Sequence, residues 1–142
     1  MIKMIVGVSV MARPDKQVLE ERQNFVQTIA DCASNPSLFS KVFLDHELFE
    51  YNRKYVDCNE RFIVYRSGRQ VGKTMSTAVK ACHFAFFAPL MLTSVKNECV
   101  IVIAAPTQNQ ATIMFNRIRD LITDNEFLNG FVVRNTQTEL WV

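Results

Sequence analysis

Arg66-Ser67-Gly68-Arg69-Gln70-Val71-Gly72-Lys73-Thr74 lies between an apolar run and a helical pattern, and no other stretch narrows the fold as much. Small residues followed by Gly72-Lys73-Thr74 are the parts of a phosphate-binding loop. In such a loop the backbone N–H groups turn toward anionic oxygens. The Lys reaches the β- and γ-phosphates, and the Thr hydroxyl holds Mg²⁺. A helix opening directly after the loop adds partial positive charge and unpaired N–H groups. The usual spacing is Gly-x-x-x-x-Gly-Lys-[Ser/Thr]. Here Ser67 stands at the first Gly position and Gly68 follows it.

The surroundings of the loop set the expected architecture. Phe62-Ile63-Val64-Tyr65 is short, apolar and rich in β-branched and aromatic residues, so it reads as a buried strand. Thr74 to Ala88 reads as an enclosed helix that ends before Pro89. Cys99 to Ala104 reads as a second buried strand. Pro106-Thr107 then opens another helix, with Thr107 and Gln110 forming a capping box. Ala111, Met114, Phe115, Ile118, Leu121 and Ile122 make its apolar stripe. Asn129-Gly130 marks a turn, and Phe131 to Arg134 and Glu139 to Val142 read as strands after it. Strand, loop, helix, strand, helix is the beginning of a parallel α/β sheet.

Upstream of Arg61 the pattern is helical. Asp15 to Ala33, capped by Asp15, carries Val18, Leu19, Phe25, Val26 and Ile29 at helical spacing. Asn35-Pro36-Ser37 breaks it. Leu38, Phe39, Val42 and Phe43 suggest a short helix before an ambiguous stretch to Tyr55. Met1 to Ala12 reads as a buried strand, or as sequence ahead of a start at Met4 or Met11. Its apolar core is short for a signal peptide.

Composition excludes several classes. The 142 residues suffice for one domain with a core. The net charge of +2 argues neither for nor against nucleic acid. Cys32, Cys58, Cys82 and Cys99 are widely spaced and read as free thiols of a reducing compartment. With His46 and His83 they form no zinc pattern. The longest apolar run, Phe84 to Leu92, is shorter than the ~20 residues a bilayer span needs.

Arg69-Gln70 places two polar residues where many nucleotide loops carry small ones. Arg69 is positioned to swing toward a γ-phosphate and stabilise charge there, the role of an arginine finger. At this point the sequence resembles a family. Arg69, Gln70, Gly72, Lys73 and Thr74 are similar to the Arg-Gln-x-Gly-Lys-[Ser/Thr] loop of viral terminase large subunits, the motors that package double-stranded DNA. Val100 to Ala111 resembles the segment that follows it in that family. The resemblance covers about residues 61–122.

It implies a partial P-loop NTPase of α/β class, with a parallel sheet and flanking helices. Residues 61–142 would be an incomplete ATPase domain and residues 1–60 a helical N-terminal segment. It implies ATP and Mg²⁺ as cofactors, bound by Ser67, Gly68, Arg69, Gln70, Val71, Gly72, Lys73 and Thr74. Lys73 and Arg69 would act on phosphate, and Thr74 on the metal. Implied partners are double-stranded DNA, a portal protein, a small terminase subunit and further copies of the chain, in a host cytoplasm. The family's adenine-contacting Gln has no counterpart between Gln27 and Gln70, and Asn52 is the candidate substitute.

Hydrolysis needs a second motif, an apolar strand ending in Asp and Glu. Val42 to Glu47 mimics one but precedes the loop, and Asp124 and Glu126 lie at a helix end. The chain is therefore expected to be the N-terminal part of a longer protein. Two rivals stand beside the motor. Ala105-Pro106-Thr107 also resembles a two-lobe helicase segment, and a truncated non-catalytic nucleotide-binding module would carry the same loop. His83 and Phe84 to Phe87 read as core, and Arg117 and Arg119 as a solvated helix face.

Overall fold

The computed structural model of the chain describes residues 16–91 and 99–142. The expectations for Met1 to Ala12 and for a cap at Asp15 lie outside the described residues. Packing divides the chain after Ala30 into two compact units, residues 1–30 and 31–142.

In the first unit the described residues belong to α1 (Lys16–Ser34), which continues across the division. The helical spacing forms the expected helix, and Val18, Leu19, Phe25 and Val26 on it are exposed.

Among its described residues the second unit has five further helices and one small hairpin: α2 (Pro36–Phe43), α3 (Glu50–Val56), α4 (Lys73–Met91), α5 (Gln108–Thr123), α6 (Glu126–Asn129), β1 (Arg134–Asn135) and β2 (Leu140–Trp141). Asn35 starts α2 by accepting from the Leu38 amide, and Pro36 sits in the first turn, where a missing N–H costs nothing. Thr107 caps α5 through the Gln110 amide at 3.4 Å, which is one half of the expected capping box. Asn125 caps α6 through the Leu128 amide at 2.8 Å. Helix α4 begins one residue earlier than expected and runs past Pro89 to Met91, rather than stopping before the proline.

Helix α4 is the central element, with α2, α3 and α5 all packed on it and α6 on α5. Leu48, Val56 and Val79 are buried together, with Leu44, Tyr55 and Leu121 against them. Phe39 is fully buried and meets Phe43, His83 and Phe87 through tilted and edge-on ring contacts. His83 is core, as expected. Its Nε2 lies 3.0 Å from the Cys32 carbonyl and 3.2 Å from the Ala33 carbonyl, so this nitrogen carries a proton. In the expected Phe84 to Phe87 core, Phe87 is buried but Phe84 is exposed.

Among the described residues the parallel sheet expected from the sequence is absent, and the α/β P-loop architecture is corrected accordingly. Helices hold about 60% of the structure, and the sheet among the described residues has two antiparallel strands. Arg134 pairs with Trp141 and Asn135 with Leu140. Phe62 to Tyr65 and Cys99 to Ala104 join no ladder. Phe62 and Val64 are 84% and 86% exposed, and Val100 and Val102 are 82% and 81% exposed. The physical reason is that a buried parallel strand needs pairing on its edges and a layer on each face. Two apolar runs separated by a helix meet neither need by composition alone. The helices instead bury their apolar faces on one another. Val42 to Glu47, the acidic-strand mimic, is the end of α2 and a turn through Asp45 at φ 46°.

Candidate phosphate-binding loop

The loop before α4 is curled and closed on itself. Lys73, the first residue of α4, turns back so that Nζ donates to the Ser67 carbonyl at 2.7 Å and also to the Gly68 carbonyl. Between these ends the backbone enters the left-handed region twice, at Gln70 (φ 59°) and Gly72 (φ 80°). Gly72 tolerates this conformation because it has no Cβ, whereas Gln70 holds it at a cost of about 1–2 kcal/mol. The Gly72 carbonyl accepts from the Ser76 amide at 2.9 Å, so Gly72 is the last residue outside the helix. That leaves the Lys73, Thr74 and Met75 amides as first-turn donors with no intrahelical acceptor.

A cleft of about 750 Å³ opens on this loop. Arg69, Gln70, Val71, Gly72, Lys73 and Thr74 line one side. Ile113, Asn116, Arg117 and Asp120 line it from α5, at the i, i+3, i+4, i+7 spacing of one helix face. Ser67 and Gly68 do not line it and serve instead as the carbonyl seat of Lys73. The cleft is cationic. Among the described residues no carboxylate lies within ion-pair distance of Arg69 or Arg117. Asp120 is the carboxylate on the lining, 3.8 Å from Arg119. Arg117 is exposed, as its reading as a solvated residue requires, and it stands on the lining of the cleft.

Beneath the loop lies a polar cluster that the sequence did not reveal. Asn52 on α3 is 2% exposed. Its Nδ2 donates to the Val71 carbonyl at 3.1 Å, and its Oδ1 accepts from the Tyr65 hydroxyl. This corrects the expectation of an adenine contact, because both ends of the amide are already engaged inside the protein. Tyr65 stacks on Tyr55, with centroids 4.1 Å apart and planes at 6°. The Tyr55 hydroxyl donates to Thr77 Oγ1 of α4 at 3.3 Å. Lys80 of α4 donates to the Val56 carbonyl at 2.8 Å and to the Cys58 carbonyl, which closes the C-terminal end of α3. Burial lowers the Lys80 pKa, while Cys58 and Asp57 act to raise it.

The cleft's volume lies within the range of about 300–1,000 Å³ typical of small-molecule sites. The donors present are suited to an anion: one ammonium, two guanidiniums and the amides of a helix start. No group of three or more His, Cys, Asp or Glu able to hold a metal occurs among the described residues. A Mg²⁺ ion there would rest on the Thr74 hydroxyl, a carboxylate such as Asp120 and the phosphates themselves, a common way of holding this ion. No helix among the described residues is long and apolar enough to cross a membrane. No protein-family model, curated protein or solved structure matches this chain.

Proposed function

We propose that the Ser67–Thr74 loop binds the triphosphate of ATP together with Mg²⁺, as the nucleotide-binding part of a DNA-packaging motor resembling a terminase large subunit. One observation carries the reading. The Lys73 ammonium is folded onto two loop carbonyls at the mouth of a cationic cleft, beside three first-turn amides that have no intrahelical acceptor. A phosphate tail offers that ammonium and those amides stronger, charge-assisted acceptors than carbonyl oxygen. Arg69 and Arg117 then supply further charge from two sides. None of these interactions depends on a parallel sheet, because an anion nest is made by successive main-chain amides.

The motor part of the reading rests on the resemblance of Arg69, Gln70, Gly72, Lys73 and Thr74 to the terminase loop. From it follow double-stranded DNA, a portal protein and a small subunit as partners, homo-oligomers, and a place in the host cytoplasm. In that reading Arg69 stabilises charge on the γ-phosphate. A non-catalytic nucleotide-binding module is the second reading. It is favoured by the state of Asp120, the carboxylate on the cleft lining, which already neighbours Arg119.

Titration of the chain with Mg²⁺–ATP tests the proposal. Binding is expected, and Lys73→Ala is expected to weaken it at least tenfold, about 1.4 kcal/mol or more. Equal affinities would overturn the phosphate reading. The 142-residue chain alone is expected to show no steady ATP turnover, and turnover lost in Lys73→Ala would exclude the non-catalytic module.

A further inference from the structure

We infer that Asn52 and Tyr65 are positioning residues that set the orientation of the Val71–Gly72 peptide and thereby aim a loop amide into the cleft; the inference rests on the phosphate reading of that site. In a trans peptide the carbonyl and the following N–H point in opposite directions. Asn52 Nδ2 holds the Val71 carbonyl from the α3 side. The Gly72 N–H therefore points away from Asn52. Val71 and Gly72 line the cleft, whereas Asn52 does not.

The Val71 carbonyl, which can only accept, decides which way round the Asn52 amide sits, and the amide is braced from its other end by Tyr65. The Tyr65 hydroxyl donates to Oδ1, with Nδ2 facing Val71. The opposite amide orientation would set oxygen against the Val71 carbonyl oxygen and remove the tie. The tyrosine is itself fixed by its stack on Tyr55, whose hydroxyl reaches Thr77 on α4. Lys80 anchors the far end of α3 to the same helix. The support under the loop is thus tied at several points to the helix that the loop opens.

Gly72 gives a second, independent observation. A Cβ built on it would lie 3.0 Å from Asn52 Nδ2. The strut approaches the backbone so closely that a side chain at position 72 would push Asn52 aside. A merely space-filling residue at position 52 would place no such demand on the loop's hydrogen bonding.

The test uses inorganic tripolyphosphate as the probe and amide hydrogen exchange of the free chain. Asn52→Leu keeps the number and branching of the side-chain heavy atoms and removes both hydrogen bonds. It is expected to weaken tripolyphosphate binding about tenfold and to speed exchange at residues 70–74, with α4 beyond Val79 unchanged. Tyr65→Phe keeps the ring stack and is expected to give the same localised exchange with a loss of about threefold. If Asn52→Leu does not fold, Tyr65→Phe decides alone. Wild-type affinity with unchanged exchange at 70–74 would overturn the inference. Exchange accelerated equally through α3 and α4 would also overturn it, since that marks general loosening. If wild-type protein binds no tripolyphosphate, the phosphate reading fails, and the exchange pattern still decides whether Asn52 and Tyr65 hold the peptide.

Discussion

Gly72 concentrates two constraints on one backbone atom. Its φ of 80° belongs to the region that L side chains rarely adopt, and a Cβ there would press on Asn52 Nδ2 at 3.0 Å. Gly72→Ala is expected to destabilise the chain by about 1–2 kcal/mol, the left-handed penalty with some displacement of Asn52. Urea unfolding checks this through a lowered midpoint at unchanged slope. At this scale the sequence was legible where chemistry is local. Gly72 as the tight point of a loop follows from the residue types and their spacing, and the Lys73 they single out has its Nζ turned back onto the Ser67 and Gly68 carbonyls. Asn52 did not, because nothing in a lone Asn 19 residues before Val71 signals that the two meet. Arg117 was read correctly as solvated, but no sequence pattern ties its helix face to the loop.

One helix start, at Thr107, was legible for a similar reason, whereas Asn35 was read only as part of a break and Asn125 carried no expectation. Asn35, Thr107 and Asn125 each sit three residues before the amide they cap, so the signal and its effect share one turn of chain. The caps differ in what else they hold. Thr107 makes one long contact with Gln110, whereas Asn125 caps α6 at 2.8 Å and also donates to the Phe43 carbonyl at the end of α2. Asn125→Ala is therefore expected to cost about 2 kcal/mol, and Thr107→Ala about 1 kcal/mol or less. Thermal melts of the two variants should rank in that order. The strands were not legible, because an apolar run states a need for burial without naming a partner. Phe62 to Tyr65 and Cys99 to Ala104 have the composition of core strands, and the packing of α2, α3 and α5 on α4 does not enclose them. The small hairpin fared better: β2 lies within the expected 139–142, and β1 overlaps its expected strand at Arg134.

For the chain as a whole, His83 links stability to pH. Burial lowers its pKa below 6.5, and Lys80 adds to that, while the Cys32 and Ala33 carbonyls and Asp57 act the other way. The unfolded chain thus binds the proton more readily than the folded one. The stabilising contribution is full above pH 6.5 and is lost as pH falls from there through the folded-state pKa. Urea midpoints measured from pH 7.5 to pH 5 should decline, and His83→Gln should flatten that part of the decline. Cys82 sits in the same interior, its thiol pushed up to about 12 chiefly by burial, so it is inert to mild thiol reagents while the chain stays folded. The stretches carrying Phe62, Val64, Val100 and Val102 have a different consequence. Water-facing side chains of that size make crowding favourable, so a concentrated solution of this polypeptide is prone to cloud and precipitate well before its helices melt.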